Sequence, residues 1–266
     1  MNRKIIICLL VLIGLTACNQ KHEETQKIDA QIQHYMEFIN AKKGPAPQLD
    51  QIKVLYDQFS DLLVQADLKS QADLYLAQAA TNANMSPFLQ GVDKTVQQAL
   101  VKLMRNELYQ LTSKFGRADH VRVDNAYALY GGLSSVAERR GKYIGSDTLF
   151  TSRIEGSFEH LREGVEIPQA VHMIDQTIND IYFLSVLYEI EGITENRGVN
   201  DVIVHEKQIE GLLFYSIIHD AAKDPAVSDK IRAEWGKNGY DINLDEMTED
   251  LRVAFPELSA RYGIKM

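Results

Sequence analysis

Apolar residues recur at helical spacing along most of the chain. The three N-terminal stripes are Ile28, Ile32, Met36 and Ile39; Ile52, Leu55, Tyr56, Phe59, Leu62 and Leu63; and a third from Ala72 to Ala80. Spacings of three and four residues place such side chains on one face of an α-helix. Sustained alternation with β-branched residues, which is typical of strands, is missing. The sequence therefore predicts an all-α helical bundle without β-sheet, with N-terminal helices over residues 28–85.

The second part of the chain contains a candidate internal duplication. With an offset of 82 residues, residues 92–149 align with residues 174–231 without a gap, and nine positions are identical. Helical architectures often arise from such repeats, although two helical segments of similar composition can also match by chance. We predict helical repeat 1 over residues 86–173, starting at the helix-start signal Ser86-Pro87, and helical repeat 2 over residues 174–266.

Four of the nine identical pairs suit the ends of helices. Gly116 and Gly198 can adopt the left-handed conformation that ends a helix. Acidic and hydroxyl side chains can cap the helix that follows. The matched cap candidates are Asp119 and Asp201, and after them Ser146-Asp147 and Ser228-Asp229. Each copy is thus predicted to contain a helix, a tight turn, a helix, a loop and a third helix.

One identical pair, Glu107 and Glu189, has no such role. The apolar arc of the first copy is Val92, Val96, Leu100, Leu103, Met104 and Leu111, and that of the second is Ile174, Ile178, Tyr182, Val186 and Ile193. Each glutamate falls at the centre of its arc on a helical projection. A buried carboxylate is costly unless it is paired, hydrogen-bonded, metal-bound or protonated. The pattern predicts a pseudo-symmetric polar site inside the bundle.

Three interpretations of this pair remain open. In the first, Glu107 pairs with an arginine, and Glu189 pairs with a tyrosine, a lysine or a backbone group. In the second, the two glutamates hold a metal ion or a small ligand, and in the third, one or both lie near a helix end and reach solvent. Candidate ion-pair partners are Arg122 and Arg140, and candidate ligand-binding neighbours are Asp124, Glu206 and His205. Carboxylates with one histidine suit a hard or borderline cation, although the sequence does not identify the metal, and no other cofactor is indicated.

The first 18 residues carry a separate signal. Arg3 and Lys4 precede an apolar run of about 13 residues, which is too short to cross a bilayer, and Leu15-Thr16-Ala17-Cys18 closes this run. This pattern resembles the signal peptide and lipobox of bacterial lipoproteins. The resemblance implies cleavage of residues 1–17 and acylation (palmitate included) of Cys18, with residues 18–27 as a lipidated tether. It also implies anchorage in the cell envelope, facing the periplasm from the outer membrane if the host is Gram-negative.

Charge and cysteine content exclude several functions. The full chain has 28 basic and 37 acidic residues, a net charge of −9. Cleavage removes two basic residues and no acidic one, which gives −11, so we expect no nucleic-acid binding. Cys8 is lost with the signal and Cys18 is acylated, so disulfides, thiolate metal sites and cysteine nucleophiles are excluded.

No nucleophile, phosphate-loop or dinucleotide motif is present in the sequence. We therefore expect a binding or scaffold protein of the envelope rather than an enzyme. Its partners would be the bilayer, through the acyl chains, and an envelope protein. The first alternative is a metal- or small-ligand-binding lipoprotein that uses Glu107 and Glu189. The second is an enzyme with a glutamate or histidine as general acid–base, which no motif in the sequence supports.

Overall fold

The computed structural model describes residues 3–43, 47–113 and 119–263, with side chains from residue 23 onwards. Over this part of the chain the protein is all-α, as predicted, with no strands. The helices are α1 (Arg3–Lys42), α2 (Leu49–Gln65), α3 (Lys69–Thr81), α4 (Ser86–Ser113), α5 (His120–Gly131), α6 (Ser134–Tyr143), α7 (Leu149–Glu163), α8 (Ile167–Asn196), α9 (Asp201–Ile218), α10 (Pro225–Trp235), α11 (Leu244–Ala254) and α12 (Pro256–Tyr262). None of these described helices is long and apolar enough to cross a membrane.

Helix α4 is the central element. It packs against α1, α2, α3, α5, α8 and α9, and every residue from 91 to 101 is buried. Because all faces of this segment are covered, its polar side chains need partners inside the protein. Helices α8 and α9 pack closely on each other, and α9 also packs on α4. The polar centre of the bundle is formed where these helices meet α1 and α6.

The N-terminal stripes are confirmed in part. All six apolar residues predicted for α2 are buried. In α1 the buried face is centred on Tyr35 and Phe38, which are fully buried, so the predicted stripe is displaced towards one edge of that face. Residues 18–27, predicted as a tether, are part of helix α1, and Thr25 Oγ1 donates a hydrogen bond of 2.6 Å to Asn125 Oδ1. The side chain of Cys18 lies outside the described residues.

Several predicted helix ends need correction. Gly198 has the expected positive φ of 75°, whereas Gly116 lies outside the described residues. The N-cap of α9 is Asn200, not Asp201, because the Asn200 side chain accepts from two backbone N–H groups of the first turn. Asp224 caps α10 in the same way, and Ser228 instead lies buried within that helix. The predicted boundary at 173/174 falls within α8, and the duplication itself stays a prediction.

Candidate functional site

Glu189 is buried, as predicted, and it binds cations of the chain. Its side chain is 1% exposed. Glu189 Oε2 lies 2.8 Å from Lys207 Nζ, and Oε1 lies 3.4 Å from Arg140 Nη2. Arg140 also donates to Ser185 Oγ at 2.8 Å, and its guanidinium lies over the ring of Tyr188. The ion-pair interpretation therefore describes Glu189 in this structure.

Glu189 belongs to a larger array of buried charges, which we call the ion-pair network. In order of contact its members are Lys42, Asp93, Lys94, Glu210, Lys207, Glu189 and Arg140. They come from five helices: α1, α4, α9, α8 and α6. Cations and anions alternate, and each carboxylate lies between two cations. Such an array tolerates burial because each charge has an opposite charge beside it.

Asp93 connects α1 to α4 at one end of the network. Its Oδ2 atom lies 2.5 Å from Lys42 Nζ and 2.8 Å from Lys94 Nζ. Its Oδ1 atom accepts from the hydroxyl of Tyr35 at 2.5 Å and from Gln97 Nε2 at 3.1 Å. All acceptor positions of this carboxylate are thus well used. Glu210 then links Lys94 to Lys207, at 3.2 Å from each ammonium.

The pKa values follow from burial and from these neighbours. Burial, and after it the negative charge of Glu210, raise the pKa of Glu189 to about 7 against the opposing effect of Lys207 and Arg140. Burial would also raise the pKa of Glu210, but Lys94, Lys207 and Lys42 outweigh it and lower the pKa to about 2. Burial lowers the pKa of Lys42 to about 8, since Asp93 compensates only part of the cost. The same cations hold the pKa of Asp93 far below its usual range.

A cavity of about 700 Å³ opens at the Lys42 end of the network. Four of its wall residues belong to the network: Lys42, Asp93, Lys94 and Glu210. The rest of the wall comes from α1, α4, α6 and α9, from the segment before α4, and from Pro47 and Gly132 in two further connections between helices. Apolar side chains such as Ile39 and Leu89 alternate there with polar ones. Ligand sites in proteins combine concave shape with a few fixed polar groups in this way.

Glu107 occupies a different environment from Glu189. Its Oε2 atom lies 2.8 Å from Arg122 Nη1, a partner proposed from the sequence, and its side chain remains 23% exposed. Burial raises the pKa of Glu107, while Arg122 lowers it. The structure therefore gives the two glutamates separate cationic partners and does not assemble them into one site.

The other predicted neighbours lie towards the surface. Asp124 is exposed, and its carboxylate lies 3.9 Å from Arg162 Nε. His205 is exposed and packs edge-on against the ring of Phe88, and Glu206 beside it is half-buried. Across the described residues, no group of three or more His, Cys, Asp or Glu side chains is placed to hold a metal ion. The arrangement offers no geometric support for the metal-binding alternative.

Sequence reasoning missed most of the ion-pair network. A signal was present for Glu210, which stands three residues before Leu213 and four before Phe214 on the buried face of α9. The same helical projection that identified Glu189 identifies Glu210 as well. Asp93 gave the same signal, because it falls on the helical projection at the same angle as Leu111, within the apolar arc of the first copy. Lys94 gave no such signal, because a one-sided apolar stripe does not reveal that α4 is covered on every side.

Comparison with family models, curated proteins and solved structures finds no match. The geometry of the cavity and of the ion-pair network is therefore the basis for a function.

Proposed function

We propose that this chain is a lipid-anchored binding protein of the bacterial envelope that takes a small polar ligand into the cavity beside Lys42. The observation that carries the proposal is the cavity wall, where four ionisable side chains, each no more than 8% exposed, line a space of about 700 Å³. Buried charges beside an open space give a ligand oriented hydrogen-bonding partners at little further ordering cost. This favours ligand binding over a scaffold role that uses the outer surface alone.

The anchor and the cavity would lie at opposite ends of the part of α1 that remains after the predicted cleavage. Cys18 precedes Lys42 by 24 residues on one helix, which corresponds to about 36 Å at 1.5 Å per residue. Thr25 and Lys27 already contact the bundle, Lys27 through an ion pair of 2.8 Å with Asp61. With acyl chains on Cys18, the bundle would sit close to the bilayer, and the cavity would open away from it.

The lipid anchor is tested by metabolic labelling with an alkyne fatty acid. We expect the wild-type protein to incorporate the label and to fractionate with membranes. Cys18→Ala should abolish both, because the acylated thiol is lost. Cys8→Ala is the matched control and should keep both, since Cys8 lies within the predicted signal peptide. Equal labelling of the two variants would contradict the anchor.

The cavity is tested by blocking it. Ser135 lines the cavity from α6 and is half-buried, so Ser135→Trp should fill the space. Protein purified from the native envelope is denatured, and the released small molecules are identified by mass spectrometry. We expect a stoichiometric compound from wild type and at least a tenfold lower yield from Ser135→Trp. Ser152→Trp, at an exposed site on α7, is the control and should retain the compound. Absence of any released compound, or equal retention by both variants, would contradict ligand binding in this cavity.

A further inference from the structure

The ion-pair network begins and ends with a cation. It contains four basic and three acidic side chains, so every carboxylate is shared between two cations. At one end, Arg140 donates a further hydrogen bond to the hydroxyl of Ser185 and stacks on the ring face of Tyr188. At the other end, Lys42 faces the cavity. A buried array with one cation in excess favours an added negative charge at its open end.

Lys42 also has hydrogen-bonding capacity to spare. An ammonium group has three N–H donors. Two of those of Lys42 are used by Gln90 Oε1 and Asp93 Oδ2, and no third acceptor is found among the described residues. The side chain is only 6% exposed, so little water is available to it outside the cavity. An oxygen atom entering the cavity would find this donor unpaired.

The surroundings of Lys42 are also cationic. Lys94 Nζ contacts the same Asp93 oxygen at 2.8 Å, and Lys42 Nζ contacts it at 2.5 Å, so the two ammonium groups are close neighbours. Lys43 and Arg139 add two further positive charges at the cavity wall, against one additional acid, Glu138. The wall is therefore net positive within a strongly acidic protein. Groups of this kind bind carboxylates and phosphates through charge-assisted hydrogen bonds.

We propose that the ligand carries an anionic oxygen group, a carboxylate or a phosphate, which binds at Lys42 and supplies the fourth negative charge of the ion-pair network. This inference rests on the proposed function, because it assumes that the cavity is the binding site. Lys42 and Lys94 would hold the anionic group, and Gln90 and Ser135 offer hydrogen-bonding groups to the remainder of the molecule. A neutral or cationic ligand would leave the excess charge uncompensated.

The proposal is tested on the intact lipidated protein in detergent by lysine acylation. A succinimidyl ester modifies accessible amines, and peptide fragmentation separates Lys42 from Lys43. Inorganic phosphate and acetate are the two probes, with chloride as the reference at equal ionic strength. We expect at least one oxyanion to slow acylation of Lys42 fivefold or more in a saturable manner, and acylation of Lys43 less than twofold. The more effective probe indicates which of the two groups the ligand carries. No selective protection of Lys42 by either anion would overturn the proposal.

A pair of charge variants provides the second test. Lys42→Gln removes the terminal cation of the network, and Lys43→Gln removes the same charge from an exposed neighbour of the same cavity wall. Retention of the native compound should fall at least tenfold in Lys42→Gln and less than threefold in Lys43→Gln. Equal losses would overturn a specific role for Lys42. Because acylation is measured on wild type, the proposal stays testable if Lys42→Gln fails to fold.

Ligand binding in the cavity and the anionic character of the ligand are contradicted by different results. A neutral or cationic compound released from wild type but not from Ser135→Trp would support binding in the cavity and overturn the anionic inference. Release of no compound from wild type, together with unprotected Lys42, would overturn both. An anionic compound that Ser135→Trp loses and Lys43→Gln retains would support both.

Discussion

At the scale of single residues, Glu189 shows that burying a charge in the ion-pair network costs free energy. Two cations lie within 3.4 Å of its carboxylate, yet burial and the neighbouring Glu210 raise its pKa to about 7. The interior therefore stabilises the ionised form less well than water does. In Glu210 the attraction to cations outweighs burial and lowers the pKa, because Lys94, Lys207 and Lys42 all act on this carboxylate. The net positive charge of the array is not enough to keep both glutamates ionised equally well.

The pKa of Glu189 predicts a pH-dependent loss of stability. Its folded-state value of about 7 lies above the ordinary value of 4.5, so the folded state holds the proton more tightly. The stabilising contribution is full below pH 4.5 and is lost as the pH rises through 7. From pH 4.5 to pH 8 we expect Glu189→Gln to gain about 3 kcal/mol in unfolding free energy relative to wild type. Urea unfolding at several pH values measures this difference.

Glu107→Gln is the matched control for that experiment. The helix position is equivalent in the predicted duplication, but the Glu107 side chain is 23% exposed and has Arg122 at 2.8 Å. Solvent screening reduces the effect of its raised pKa. We therefore expect a smaller pH-dependent difference from wild type than for Glu189→Gln. A flat difference for Glu189→Gln, or the same slope in both variants, would contradict the account of Glu189.

At the scale of helices, the sequence predicts elements well where burial is one-sided. The six apolar residues of α2 were identified correctly because its opposite face is polar and exposed. For α1 the predicted stripe of aliphatic residues lies at one edge of the buried face. The centre of that face is formed by Tyr35 and Phe38, which the predicted stripe does not include. Lys94 of α4 was missed because tertiary packing, which no local pattern encodes, also covers the face of this helix opposite its apolar stripe.

The candidate site could likewise be predicted from the sequence only in part. Glu189 was identified because a carboxylate stands out among apolar neighbours on a helical projection. Its partner Arg140 was among the candidates, but Lys207 was not, since it comes from a helix whose packing is set by contacts distant in sequence. The cavity could not be predicted at all, because its wall joins segments from Tyr35 to Glu210.

Packing of α9 on α10 depends on one glycine. A Cβ atom at Gly211 would lie 2.1 Å from the ring of the fully buried Trp235. We expect Gly211→Ala to destabilise the protein by about 1–3 kcal/mol, because the indole has no room to move. Gly156→Ala in α7 is the control, since no heavy atom lies within 4 Å of its Cβ position. That variant should gain about 0.5–1 kcal/mol from helix propensity. Thermal or urea unfolding of the two variants and the wild type measures these differences. A Gly211→Ala variant as stable as wild type would contradict this account of the packing.

At the scale of the whole molecule, the predicted anchor and the fold together set an orientation. The predicted mature protein has a net charge of −11, so an anionic bilayer repels its surface. Helix α1 is continuous from the predicted acylation site to Lys42 and is fixed to the bundle by contacts of Thr25 and Lys27. A stiff helix and a repelled body favour an upright arrangement, in which the cavity faces the compartment rather than the membrane.

This orientation can be measured with fluorophores, because the predicted mature chain has no free thiol. Glu24→Cys and Lys43→Cys place labels at exposed sites 19 residues apart, about 28 Å along α1. With an acceptor in the lipid headgroups, we expect strong energy transfer from the label at residue 24 and clearly weaker transfer from the label at residue 43. The same labels in the Cys18→Ala background should show no transfer to vesicles, which controls for adsorption. Equal transfer from both sites would mean that α1 lies along the bilayer, and the cavity would then open beside the membrane instead of away from it.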